Sequence, residues 1–189
     1  MSARRWYGGM LAVALAAGTV ACSDDGWQNR CETTPRGVIS CAPDLRPPAT
    51  PLSGELLDGG RYDVADERGQ VVVVNFWGSW CAPCRAEADD LESTYQATKA
   101  SGVRFLGVNT QDSRDKARAF EQSFRISYPS VFDPSSKVAL GFAVPPNSTP
   151  ATIVLDREGR IAEVVRREVR ADELRSLVEK IAAEQPVRD

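Results

Sequence analysis

Five cysteines and no histidine set the chemistry open to this chain of 189 residues. Two of the cysteines stand in Trp80-Cys81-Ala82-Pro83-Cys84, and two intervening residues bring the second sulfur back within bonding reach of the first across one helical turn. Only a thiolate attacks efficiently, so one of the pair needs a lowered pKa. An apolar run precedes the pair and a segment of good helix formers follows it. Cys81 is therefore expected at a helix N-terminus, where unpaired N–H groups and the positive end of the helix dipole favour an anion. That makes Cys81 the expected nucleophile and Cys84 the resolving thiol. Pro83 suits the first turn because the N–H it lacks has no intrahelical partner there. A stable disulfide or half of a metal site is the bland alternative, and the flanking Trp77 and Trp80 at a strand-to-helix junction argue against it. The missing histidine removes Cys-His and Ser-His nucleophile pairs and any histidine-bearing zinc or copper site.

The other three cysteines read differently. Arg4 and Arg5 precede an apolar run from Gly8 to Val20, the pattern of a secretory signal and too short for a comfortable membrane span. It ends in Thr19-Val20-Ala21-Cys22, which resembles the lipobox of bacterial lipoproteins, with Thr19 where leucine is usual. Lipidation of Cys22 would anchor the protein, each buried methylene contributing ~0.8 kcal/mol; a cleaved signal or an uncleaved anchor also exports the domain. Cys31 and Cys41 bracket a turn-prone segment and are expected to form a structural disulfide, which an oxidising compartment preserves. Their spacing is far from that of a zinc knuckle, so a four-cysteine site with Cys81 and Cys84 is disfavoured, and no metal or cofactor is expected.

The hydrophobic fraction of 42% and charged fraction of 26% are those of a soluble globular protein. A net charge of -3 with mixed signs leaves no basic stripe, which excludes nucleic acid as an expected partner. Residues 1–21 read as a signal peptide, 22–51 as an extracytoplasmic linker rich in proline, and 52–185 as one folded domain. Within that domain the pattern predicts a short strand pair turning at Asp58-Gly59-Gly60 and a buried strand over 71–77. A helix over 85–100 and a strand over 103–109 follow. Asp112 is expected to cap a helix carrying Ala117, Phe120 and Phe124. A short strand near 128–132, a short helix near 135–142, strands 151–155 and 160–169 and an amphipathic helix over 171–183 complete the list. Alternating strands and helices ending in a hairpin and helix imply an α/β sandwich with a mixed sheet, and the placement of the Cys-X-X-Cys points to thioredoxin.

Asn75-Phe76-Trp77-Gly78-Ser79-Trp80-Cys81-Ala82-Pro83-Cys84-Arg85-Ala86-Glu87 resembles the motif of the TlpA/ResA-like family of thioredoxin-fold proteins, over roughly 52–183. The resemblance implies a central helix–strand insertion over 110–144. Asn75 stands where thioredoxin has a buried Asp, as is usual in this branch. Glu87 matches the family glutamate that modulates the thiols or relays protons; its bland alternative is a solvated charge on the helix face. The family often has proline where this chain has Asp89. Thr149-Pro150-Ala151-Thr152 matches the family's cis proline, packed against the dithiol and preceded by a residue whose backbone pairs with substrate. Pro145-Pro146 is the competing candidate. Trp80, Pro83, Thr149 and Pro150 are thus the expected substrate-binding residues.

The family further implies reduction of disulfides in exported proteins, with an apocytochrome c as a candidate client and a membrane thiol-relay protein of the CcdA/DsbD type as electron donor. The same exchange run backwards, as in a DsbA-like oxidase, is the nearest rival. A thiol peroxidase is a more distant one.

Overall fold

The computed structural model describes residues 26–142 and 148–184. In chain order it contains β1 (Glu32–Thr33), β2 (Val38–Ser40), β3 (Ser53–Glu55), β4 (Arg61–Asp63), β5 (Val71–Trp77), α1 (Ala82–Thr98), β6 (Val103–Thr110), α2 (Arg114–Phe124), β7 (Ser130–Asp133), α3 (Lys137–Gly141), β8 (Ala151–Leu155), β9 (Ile161–Val165) and α4 (Ala171–Ala182). Seven strands make one sheet in the order β1-β2-β9-β8-β5-β6-β7. β5, β6 and β7 run parallel, and the remaining neighbours are antiparallel.

The unbroken apolar run of β5 is explained by its place: it lies between β8 and β6, buried at every residue. Alternate side chains go to opposite faces. Val72, Val74 and Phe76 join Leu106, Ile153 and Phe142 on one face. Val71 and Val73 meet Leu91 of α1 and Leu174, Val178 and Ile181 of α4 on the other. Asn75 therefore belongs to the α1/α4 face by register, and this decides its partner. α1 is followed by a 3-10 turn over Lys99–Ser101, and Gly102 closes that turn with a φ of 78° that suits a residue without Cβ. The expected strand pair is present as a separate two-stranded sheet, β3–β4, fastened to β7 by a bridge between Leu56 and Val131. The helix–strand insertion is α2, β7 and α3.

The segment expected to be a linker, 22–51, differs from that reading. From Glu32 onward it is part of the fold, since β2 pairs with β9 and extends the sheet. Cys31 and Cys41 are disulfide-bonded across this hairpin. Arg46 is 7% exposed and donates to Asp156 at 3.2 Å, to both carboxylate oxygens of Glu184 at 2.6 and 2.7 Å, and to the Cys41 carbonyl at 3.2 Å. Strands of two and three residues carry too little alternation to show in a sequence, and a proline-rich stretch can lie along a sheet edge as well as in solvent. The strand expected over 160–169 is shorter, and Asp112 is not the cap expected of it: Ser113 holds the N-cap position of α2. Cys22 and Pro145-Pro146 lie outside the described residues.

A candidate dithiol active site

β5 ends at Trp77 and α1 starts at Ala82, so the turn between them delivers Cys81 to the N-cap of α1. Cys81 and Cys84 are 3% and 2% exposed and are joined by a disulfide. The backbone N–H of Cys84 points at Cys81 Sγ at 3.2 Å, one of the orphan donors of the helix start aimed at the attacking sulfur. Pro83 lies in the first turn of α1. The Thr149–Pro150 peptide is cis, and the Thr149 carbonyl lies 3.7 Å from Cys81 Sγ. Trp80 is half exposed beside the pair and donates its Nε1–H to Thr110 O at 3.2 Å.

Glu87 is one turn beyond Cys84 and is 1% exposed, which removes the solvated alternative. Its Oε1 accepts from Asn75 Nδ2 at 2.9 Å, and its Oε2 accepts from the Val169 N–H at 3.0 Å. Asn75 is held in turn by Thr152 Oγ1 at 3.1 Å. Burial raises the Glu87 pKa from 4.5 to about 7 against the pull of those two donors, and the nearby charges of Glu168 and Asp90 push the same way. A group that titrates near neutrality can hold or release a proton while thiols exchange. Asn75 and Cys84 also line one small enclosed cavity with Trp77 and Tyr128.

The seven residues expected at the site, Trp80, Cys81, Pro83, Cys84, Glu87, Thr149 and Pro150, thus sit around one strand-to-helix turn and the loop that faces it. Cys31 and Cys41 are elsewhere, on the β1–β2 hairpin. Asp112, expected from the sequence only as a helix cap, is a neighbour of the site: it bonds Ser79, two residues before Cys81. Its only signal is the position just after β6, which equally suits a helix cap.

The model of the AhpC/TSA family matches residues 41–164. The chain belongs to the AhpC/TSA family. Among its relatives is the thiol-disulfide oxidoreductase ResA of Geobacillus thermodenitrificans, 29% identical over 79% of this chain and 81% of that protein. Similar solved structures include a secreted thiol-disulfide isomerase from Corynebacterium glutamicum, with 34% identity and a TM-score of 0.75 over 82% of this chain and 98% of that one. A DsbF homologue from Corynebacterium diphtheriae has 35% identity and a TM-score of 0.72 over 79% and 98%. Within the AhpC/TSA family the protein is a thiol–disulfide oxidoreductase of thioredoxin fold, as the resemblance to the TlpA/ResA-like branch implies.

Proposed function

We propose that the protein reduces disulfides in exported proteins through Cys81 and Cys84 on the extracytoplasmic side of the membrane. What supports this reading is the Cys81–Cys84 pair at the start of α1 together with the likeness to the thiol-disulfide oxidoreductase ResA, and one turn behind the dithiol lies the buried Glu87, with a pKa of about 7. It gives the reaction a nearby proton acceptor when the dithiol is consumed. The Cys81 thiolate attacks a client disulfide, forming a Cys81–client disulfide and releasing one client thiolate, which takes up a proton. Cys84 then loses its proton towards Glu87 and attacks Cys81 Sγ, displacing the second client sulfur. Client disulfide and protein dithiol become client dithiol and Cys81–Cys84 disulfide, with two electrons transferred. Thr149 and cis Pro150 receive the client backbone, and Trp80 and Pro83 flank it.

A membrane thiol-relay donor of the CcdA/DsbD type restores the dithiol, an apocytochrome c is a candidate client, and Cys22 is the candidate lipid anchor. Export is supported by the N-terminal pattern and by the secreted corynebacterial relative. That relative is described as an isomerase, which favours a second reading in which the pair also forms or reshuffles disulfides. The reduction potential separates the two: a value near the thioredoxin value of about -270 mV supports the reductase, and one between the isomerase value of about -180 mV and the DsbA value of about -120 mV supports the second reading.

A further inference from the structure

We propose that Asp112 is the positioning residue of the active-site turn, holding residues 78–81 in the shape that keeps Cys81 at the N-terminus of α1. The proposal rests on Cys81 being the attacking thiol. The turn closes on itself only once in the hydrogen bonds described, through the Cys81 N–H to the Gly78 carbonyl at 3.1 Å. Its other bonds come from outside. The Ser79 N–H donates to Asp112 Oδ2 at 2.6 Å and the Ser79 hydroxyl to Oδ1 at 2.9 Å. The Trp80 indole donates to Thr110 O, two residues before Asp112. Arg85 reaches the Ser79 carbonyl at 3.4 Å. A Cβ on Gly78 would collide with the Trp80 ring, so the indole lies directly against the turn.

Asp112 is itself fixed. Asn109 Nδ2 donates to Oδ2 at 3.1 Å and the Ser113 N–H to Oδ1 at 2.9 Å, so each oxygen accepts two donors. Gln111, between Thr110 and Asp112, has a φ of 50°, a left-handed conformation that a non-glycine residue keeps only when its surroundings impose it. Burial pushes the Asp112 carboxyl up, yet the donors from Ser79, Asn109 and Ser113 outweigh it and hold the group below its ordinary value. The loop after β6 is thus shaped to aim a carboxylate at the turn that carries the nucleophile. An amide cannot replace it. Whichever way an asparagine is turned, its NH₂ faces either the Ser79 or the Ser113 backbone N–H.

The test uses the reduced full-length chain with Cys84→Ser, so that Cys81 is the thiol followed, and measures the rate of Cys81 alkylation by iodoacetamide against pH from the mass of its peptide. Asp112→Asn and Ser79→Ala are compared with the parent, and thermal unfolding is recorded for each. Loosening the turn takes Cys81 Sγ off the Cys84 N–H, so the profile moves to higher pH in Asp112→Asn, with the rate at neutral pH falling about three- to tenfold. Ser79→Ala, which keeps the charge and loses one bond, moves the same way by less. Unmoved profiles in both variants, whatever the change in unfolding temperature, would make Asp112 a mere brace. A shift to lower pH in Asp112→Asn alone would mean that it acts through its charge, and either result overturns the proposal. Should Asp112→Asn not fold, Ser79→Ala decides. Alkylation needs no client, so a chain with both Cys81 and Cys84 intact that reduces no protein disulfide would defeat the functional reading without touching this one.

Discussion

Replacing Glu87 by glutamine tests the buried carboxyl directly. The folded chain holds its proton up to about pH 7, whereas the unfolded chain releases it near 4.5. Between those values the unfolded state has lost a proton that the folded state keeps, so stability falls as pH rises. The contribution is fully present below pH 4.5 and gone above about 7. At 1.36 kcal/mol per pH unit the span from 4.5 to about 7 corresponds to about 3 kcal/mol, undiluted by solvent at a residue 1% exposed. The amide fits the site: its oxygen can accept from the Val169 N–H, and Asn75 can turn over so that its own oxygen accepts from the new NH₂ and from the Thr152 hydroxyl. The assay is urea unfolding of the oxidised protein at intervals from acid to mildly alkaline pH, with the thiols locked as the disulfide. Glu121, raised by its burial, and Asp112 titrate alike in both proteins, so the difference between the two profiles isolates Glu87. The expected difference declines by about 3 kcal/mol between pH 4.5 and 7 and is level on either side. A difference that stays level throughout would refute the buried, protonatable Glu87.

Cys81→Ser should abolish exchange with a protein disulfide, while Cys84→Ser should accumulate client-sized adducts on non-reducing gels; a fully active Cys81→Ser protein would sink the assigned roles. Arg46→Met should lower stability by about 3 kcal/mol, read as a lower urea midpoint, because it strands the 3% exposed Asp156 without one of its two guanidinium partners. An unchanged midpoint would mean that Arg160 and the backbone donors to Asp156 suffice alone.

How far the sequence carried depends on how each element is specified. β5 was legible because Val71–Trp77 is buried on both faces, and α4 because Leu174, Val178 and Ile181 repeat at helical spacing. The dithiol was legible because its chemistry resides in the spacing itself. Cis Pro150 was legible only through a family resemblance, since Thr-Pro alone favours the trans form. The hairpin β1–β2 escaped because it is specified by its partner: Val38 faces Val165, and nothing near Val38 in sequence announces that. The place of Asp112 at the site escaped for the same reason, since Ser79, the residue it bonds outside the stretch 109–113, is 33 positions away. The burial of Glu87 likewise follows from Asn75 and Val169, on other elements.

The β1–β2 hairpin and the burial of Glu87 meet at one place. Arg167 lies between β9 and α4, and it donates to the Arg36 carbonyl from Nε and Nη2 at 3.1 and 3.0 Å while pairing with Glu173 at 2.7 Å. The β1–β2 turn thereby grips the stretch 166–170, and two residues beyond Arg167 the Val169 N–H points at Glu87 Oε2. A carboxylate buried at this depth needs donors that do not swing away as it ionises, because an unpaired buried charge is far more costly than a paired one. The Arg36 and Glu173 contacts supply that rigidity from behind, and the Arg46 cluster holds the same N-terminal segment against the end of α4. The N-terminal segment thus contacts, through Arg36 and Arg167, the stretch that carries the Val169 N–H, one of the two donors to the Glu87 carboxylate.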